Sequence, residues 1–323
     1  MTTYDVHLTL GHILRHAPAG NQGREAALVD IAQDLLLRHF HDVGLLDSLV
    51  FKGGTALRKL YAGTAGRFSL DLDFSVRTLS DDQEVVTELL VAEVEGLTLG
   101  PFRYGTTERR DKYSLTIDTD FGATGQLTSK LDVNPPPWLQ PSSRPWVPMD
   151  IHKQYGGPLP ELPCVRLEEN VAEKIARLNR TTTARDVYDL AWLWDKYRDA
   201  GGQPIDEELV RRLAVLKIWV DAHGMSTEGA FWKPGHEAYD FDPQRWLRDR
   251  PADEFDREDI GELAVPAPDL NDLWHVVKTR FAFLTNLDSD EATVASIGQG
   301  DRTLVLEMVK TLPGTLLSSA VLW

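Results

Sequence analysis

Between Leu49 and Ser75 the chain switches its hydrophobic period twice, and this short span restricts the fold more than any other. Leu49-Val50-Phe51 is an apolar run suited to a short buried strand. Gly53-Gly54 then lets the backbone turn and approach a ligand without Cβ obstruction. Thr55-Ala56-Leu57-Arg58-Lys59-Leu60 continues as a helix that Thr55 is placed to cap. After Arg67-Phe68-Ser69, Asp71 and Asp73 alternate with Leu72 and Phe74. On a strand that alternation sends both carboxylates to one face and the apolar pair to the core. A helix start of this kind is a ready anion site. Paired carboxylates repel unless a cation bridges them, and Mg²⁺ takes such oxygens together with substrate phosphates. Either half alone is commonplace. In this order they suit a metal-bound nucleoside triphosphate.

The flanking pattern predicts a mixed sheet with helices. Residues 24–45 carry apolar positions at helical spacing, and 81–94 read as a second amphipathic helix. Tyr113 to Asp118 and Leu127 to Val133 alternate as strands. A Pro-rich stretch from Asn134 to Pro148 interrupts the pattern. Beyond Pro163 the chain becomes mainly helical, with helices expected near 167–180, 185–199, 206–222, 269–284 and 302–312. Residues 223–268, with Trp232 and Trp246, read as irregular structure packed by aromatics. The expected fold is α+β: an N-terminal mixed sheet with flanking helices over 1–160, then a mainly helical C-terminal region over 161–323.

Two helical segments carry chemistry in the second half. In Ala172-Glu173-Lys174-Ile175-Ala176-Arg177, Lys174 lies within about 60° of the apolar stripe formed by Leu167, Val171, Ile175 and Leu178. An inward lysine needs a partner anion. In Arg185-Asp186-Val187-Tyr188-Asp189-Leu190, Asp186 sits about 70° from its stripe and is expected to face inward, whereas Asp189, at about 130°, is expected to face outward or cap. Bland readings stand beside both: a structural salt bridge for Lys174, and a favourable helix dipole contact for Asp186.

The run from Lys52 to Ser75, with the lysine helix and the Arg-Asp-x-x-Asp segment, resembles the AbiEii/MenT family of nucleotidyltransferase-like toxins of type IV toxin–antitoxin systems. The resemblance covers about residues 25 to 198; the spacer between Gly54 and Asp71 is long for nucleotidyltransferases in general. It implies that the N-terminal mixed sheet is nucleotidyltransferase-like, and a Mg²⁺-dependent enzyme with a nucleoside triphosphate as substrate. Asp71 and Asp73 would hold metal, and Asp132 would complete the metal site or act as base, with Asp118 or Asp120 as alternatives. Lys52, Gly53, Gly54, Thr55, Ser69 and Lys174 would bind the nucleotide. Asp71, Asp132, Lys174 and Asp186 form the candidate catalytic set. The resemblance further implies transfer to RNA, at the 3′ acceptor end of tRNA, and neutralisation by a cognate antitoxin. Rival readings are transfer to a protein hydroxyl, a small nucleotide product, or a nucleotide-binding module without turnover.

The net charge of −16, most of it carried after residue 200, argues against a protein that coats nucleic acid nonspecifically. Lys52, Arg58, Lys59, Arg67, Arg103, Arg109, Arg110 and Lys112, then Arg166, Lys174, Arg177, Arg180 and Arg185, lie close to the motifs in sequence and suggest a local basic groove. Cys164 is the only cysteine, which excludes an intrachain disulfide and a Cys-based zinc site. No apolar run approaches the ~20 residues of a membrane span, and a cytoplasmic location is expected.

Overall fold

The computed structural model describes residues 5–17, 21–110, 112–123, 125–197, 202, 204–224, 242, 255–264, 266, 268–296 and 302–317. Most of the irregular segment expected over 223–268, Trp232 and Trp246 included, lies outside these residues.

The chain divides into two units. The first comprises Met1–Pro137, Pro141–Val165 and Gly261–Ala267; the second comprises Trp138–Gln140, Arg166–Ile260 and Pro268–Trp323. An eight-stranded sheet belongs wholly to the first unit, in the order β3-β4-β5-β6-β2-β1-β8-β7. Its strands are β1 (Leu49–Lys52), β2 (Asp71–Val76), β3 (Thr98–Leu99), β4 (Phe102–Glu108), β5 (Tyr113–Thr119), β6 (Leu127–Asn134), β7 (Ser142–Arg144) and β8 (Leu162–Cys164). β1 and β2 are antiparallel, whereas β2 and β6 are parallel, so the sheet is mixed. Leu72 and Phe74 of β2 are buried, as the alternation required, leaving Asp71 and Asp73 on the opposite face.

Four helices accompany the sheet among the described residues: α1 (Leu10–His16), α2 (Asn21–Asp42), α3 (Gly53–Leu57) and α4 (Gln83–Val94). α2 is buried almost all round, and its apolar side chains, among them Ala27, Leu28, Ile31, Leu35 and Phe40, are fully enclosed. Two of its aspartates, Asp30 and Asp34, are equally enclosed. Their partners come from the helix after the Gly-Gly turn. Arg58 grips Asp30 with two hydrogen bonds, Nε to Oδ1 at 3.0 Å and Nη2 to Oδ2 at 3.1 Å. Lys59 Nζ donates to the Asp30 carboxylate at 2.9 Å and to Asp34, which also accepts from the Tyr155 hydroxyl at 2.7 Å. Burial alone would push both aspartates up; Arg58 and Lys59 outweigh it at Asp30, and Lys59 with His152 at Asp34, holding both below the ordinary carboxylate range. Arg58 and Lys59 are therefore not part of a basic groove, a correction that follows from the helix turning them inward onto α2.

The second unit is helical: α5 (Leu167–Arg180), α6 (Ala184–Trp192), α7 (Glu207–His223), α8 (Leu270–Arg280), α9 (Ser289–Ser296) and α10 (Arg302–Lys310). α5 has the bounds its periodicity predicts, with Leu167, Val171, Ile175 and Leu178 buried. Buried Glu169 of α5 accepts from the backbone N–H groups of Trp138 and Leu139 at 2.8 and 2.9 Å and from Lys217 Nζ of α7 at 2.9 Å. Trp194, just after α6, packs on Phe281 and Phe283.

Candidate active site

β1 ends at Lys52, which is extended and precedes α3 as its N-cap. In the sheet register Lys52 stands opposite Asp73, and Asp73 stands opposite Asp132 on β6. Register partners share a sheet face, so Lys52, Asp73 and Asp132 form a row across three strands. One step along it, Asp71 is paired with Lys130.

Gly53 and Gly54 close this face at one end, for separate reasons. Gly53 has φ +79°, and a Cβ there would lie 2.3 Å from Asp73 Oδ2. The turn thus comes so close to the carboxylate that no other residue fits without displacing it. At Gly54 a Cβ would lie 2.2 Å from Arg67 Nη2 and 3.3 Å from Ser69 Oγ. The buried guanidinium of Arg67 and the buried hydroxyl of Ser69 are therefore packed against the second glycine. Arg67 was prominent in sequence only as one basic residue among several. The missing side chain at Gly54 was the signal for what fills that space.

The long spacer between the two motifs is what delivers Arg67. After α3 the helix widens into a π turn over Arg58–Ala62 and tightens into a 3₁₀ turn over Gly63–Ala65. Arg58 Nη1 donates to the carbonyls of Gly63 and Gly66, at 3.3 and 2.5 Å, while its guanidinium lies 3.7 Å from the Phe68 ring centroid. The same arginine that anchors the helix to Asp30 therefore fixes the return of the chain to β2.

Thr55 differs from the sequence expectation. It is not the cap: Lys52 occupies that position, and Thr55 lies inside α3, fully buried. Its hydroxyl donates to the backbone carbonyl of Asp71, tying the Gly-Gly helix to the strand that carries the carboxylates.

Burial and the neighbouring Asp71 charge raise the Asp73 carboxyl above its ordinary range, with Asp132 adding to the effect and Lys52 and Lys130 opposing it. Asp132 is ion-paired to Lys130. Among the described residues, no group of three or more His, Cys, Asp or Glu side chains converges as a metal cluster. Asp71 and Asp73 alone nevertheless fit a hard cation, because Mg²⁺ is commonly held by one or two carboxylates with phosphate oxygens completing the shell. Asp118 on β5 and Asp120 just beyond it, the alternatives to Asp132, are not register partners of β2.

The second unit holds a separate constellation. Lys174 Nζ, almost completely buried, donates to Asp186 Oδ1 and Asp189 Oδ2, each at 2.8 Å. Asp186 also accepts from the Thr183 hydroxyl at 2.9 Å, and Arg177 Nη1 lies 3.5 Å from its other oxygen. Burial would push the Asp186 carboxyl up; Lys174 and Arg177 outweigh it and hold it far below the usual carboxylate range. Asp189 is a correction. It is buried and faces Lys174, not outward. Residues three apart on a helix are neighbours on its surface, so one ammonium draws both carboxylates inward.

A mixed sheet that sets a Gly-Gly helix start against a strand Asp-x-Asp pair defines the nucleotidyltransferase class, and a solved structure agrees. The chain is similar to MenT4, a nucleotidyltransferase toxin from Mycobacterium tuberculosis H37Rv, with 33% identity and a TM-score of 0.79 over 95% of this chain and 99% of that one. No curated protein matches the sequence. The family model described as nucleotidyl transferase AbiEii toxin, type IV toxin–antitoxin system, matches residues 34–291. The chain belongs to the AbiEii family and is a nucleotidyltransferase. Nucleotidyltransferases generally use a nucleoside triphosphate and a divalent metal, and the type IV toxin–antitoxin family implies an antitoxin partner.

Proposed function

We propose that this protein transfers a nucleotide from a Mg²⁺-bound nucleoside triphosphate to RNA, at the 3′ acceptor end of tRNA, and so blocks translation until a cognate antitoxin neutralises it. The observation that supports the chemistry is the close approach of the Gly53 turn to Asp73, which brings the start of α3 against the strand that carries both carboxylates. Asp71 and Asp73 would hold the metal, which when bound neutralises and aligns phosphate oxygens.

This chain's own residues do the rest. Gly53 and Gly54 let the turn run directly against Asp73, Arg67 and Ser69, which gathers these groups at the start of α3. Lys52 and Arg67 supply positive charge at the same turn, and Ser69 a hydroxyl. In the reaction the acceptor hydroxyl oxygen bonds to the α-phosphorus, the bond to the bridging oxygen breaks, and pyrophosphate leaves. Asp132, one strand from Asp73, is assigned the hydroxyl proton, which requires its pair with Lys130 to open. In-line positioning supplies much of the rate. The tRNA acceptor follows from family resemblance and from recognition of RNA by shape, phosphate and stacking.

The test is incubation of the protein with each labelled triphosphate, total RNA and total protein. Label in tRNA, lost in Asp71→Ala with the fold intact by circular dichroism, is the expected result. Label in protein or in a small product overturns the acceptor. A fully active Asp71→Ala overturns the metal site.

A further inference from the structure

A cavity of ≈ 400 Å³ opens in the first unit, away from the Gly-Gly turn. Its lining includes His12, Arg15 and His16 of α1, Thr64 of the 3₁₀ turn, and Lys153 with Asp150 from the 3₁₀ turn over Asp150–Gln154. None of Lys52, Gly53, Gly54, Arg67, Asp71 or Asp73 is among its lining residues. The volume falls in the range of about 300–1,000 Å³ typical of small-molecule pockets.

The charge of this lining runs against that of the molecule. The chain carries a net −16, yet two permanent cations and two imidazoles ring this hollow against one carboxylate. That carboxylate is already engaged: Asp150 Oδ1 accepts from Lys153 Nζ at 2.5 Å, and Lys153, with Arg15 behind it, lowers the Asp150 carboxyl. The donors come from three separate elements, so they surround a ligand from several sides.

One wall is held in place. His16 is nearly buried, its Nε2 2.8 Å from Asp30 Oδ2 and its ring edge-on to Phe68. Asp30 is in turn gripped by Arg58, which also holds the Gly63 carbonyl beside Thr64. Arg15 and Lys153 are exposed, and reach the hollow as two cationic arms beside this fixed wall. Arg15 and Lys153 provide charge-assisted hydrogen bonds to phosphate oxygens.

We propose that this cavity is a second ligand site, built for a small diphosphate-bearing molecule and independent of the nucleotidyl transfer site. Two cationic arms on different elements match two linked phosphate groups better than one. The proposal does not rest on the reading of the Gly-Gly turn.

Inorganic pyrophosphate serves as the probe, titrated calorimetrically without metal. The wild-type protein should show a saturable site. Arg15→Ala/Lys153→Ala, whose side chains are solvent-exposed at their ends, should fold normally and weaken that site at least about tenfold. Asp150→Asn, which removes the competing carboxylate, should tighten it. Arg67→Ala should leave it in place, because Arg67 belongs to the other turn. Unchanged binding in the double variant, or loss of the site in Arg67→Ala, overturns the proposal. A failed transfer assay would leave these results untouched.

Discussion

Asp73 illustrates how a single residue trades stability for function. Its carboxyl is raised by burial and by Asp71 beside it, so ionisation opposes folding. An unfolded aspartate titrates near pH ~4; with the folded value above that, the native state holds the proton more tightly. The penalty is fully present at pH above the raised value and is relieved as pH falls through it. Removing the charge should therefore help the fold and harm the reaction. Asp73→Asn is expected to raise the melting temperature in metal-free buffer at neutral pH, to abolish the stabilisation that added Mg²⁺ gives the wild type, and to cut transfer on the order of 10²–10³-fold. Differential scanning calorimetry with and without Mg²⁺ checks the first two; an unaltered Mg²⁺ response would place the metal elsewhere. Gly53 was legible in sequence as a turn. That it is pressed against Asp73 is a fact of tertiary packing, because nothing in the sequence gives the distance between a turn and a strand residue twenty positions away.

At the scale of elements, periodicity predicted well wherever one face was apolar and the other polar. α5 and the strands β2, β5 and β6 lie close to their expected bounds. It failed where both faces are buried or the element is short. β3, β7, β8, α1 and α9 went unread, as did β4, where only Phe102 and Tyr104 alternate as buried apolar residues before Gly105-Thr106-Thr107-Glu108, and the buried polar line Asp30 and Asp34 within α2 was masked by the apolar residues around it. Those aspartates, four apart, meet Arg58 and Lys59, and only the folded chain shows that the two pairs neutralise each other. Arg58→Ala should cost about 3–5 kcal/mol, since it takes both guanidinium hydrogen bonds from the buried Asp30 carboxylate and leaves it to Lys59 and His16; urea denaturation measures it. In the second unit, Lys174→Ala leaves Asp186 and Asp189 buried without their ammonium and should destabilise by a similar, about 3–5 kcal/mol, amount. If Lys174 also serves the reaction, transfer at a temperature where the variant remains folded should fall at least about tenfold. Wild-type turnover there assigns the lysine to the salt bridge alone.

Charge matters most at the scale of the whole molecule. A chain of net −16 should repel RNA at long range, so acceptor binding depends on a local set of cations. Arg58 and Lys59 are buried inside the fold and do not belong to that set, whereas Lys52 and Arg67 lie at the turn. Transfer to RNA is accordingly expected to fall as salt rises from about 50 to 200 mM, with a modest log–log slope that reports few phosphate contacts; initial rates across a salt series give it, and a salt-independent rate would argue against a polyanionic acceptor. By itself the sequence determined the order strand, Gly-Gly turn, helix, Asp-x-Asp strand, and with it the class of chemistry, because backbone freedom and alternation are local properties. Only the tertiary structure decided which charges face that chemistry. Arg67 lies against Gly54 while Arg58 and Lys59 vanish onto α2, Asp189 turns in beside Asp186, and Thr55 ties a helix to a strand. Each of these depends on a partner distant in sequence, where electrostatic and packing energies are set by distance in space and not along the chain.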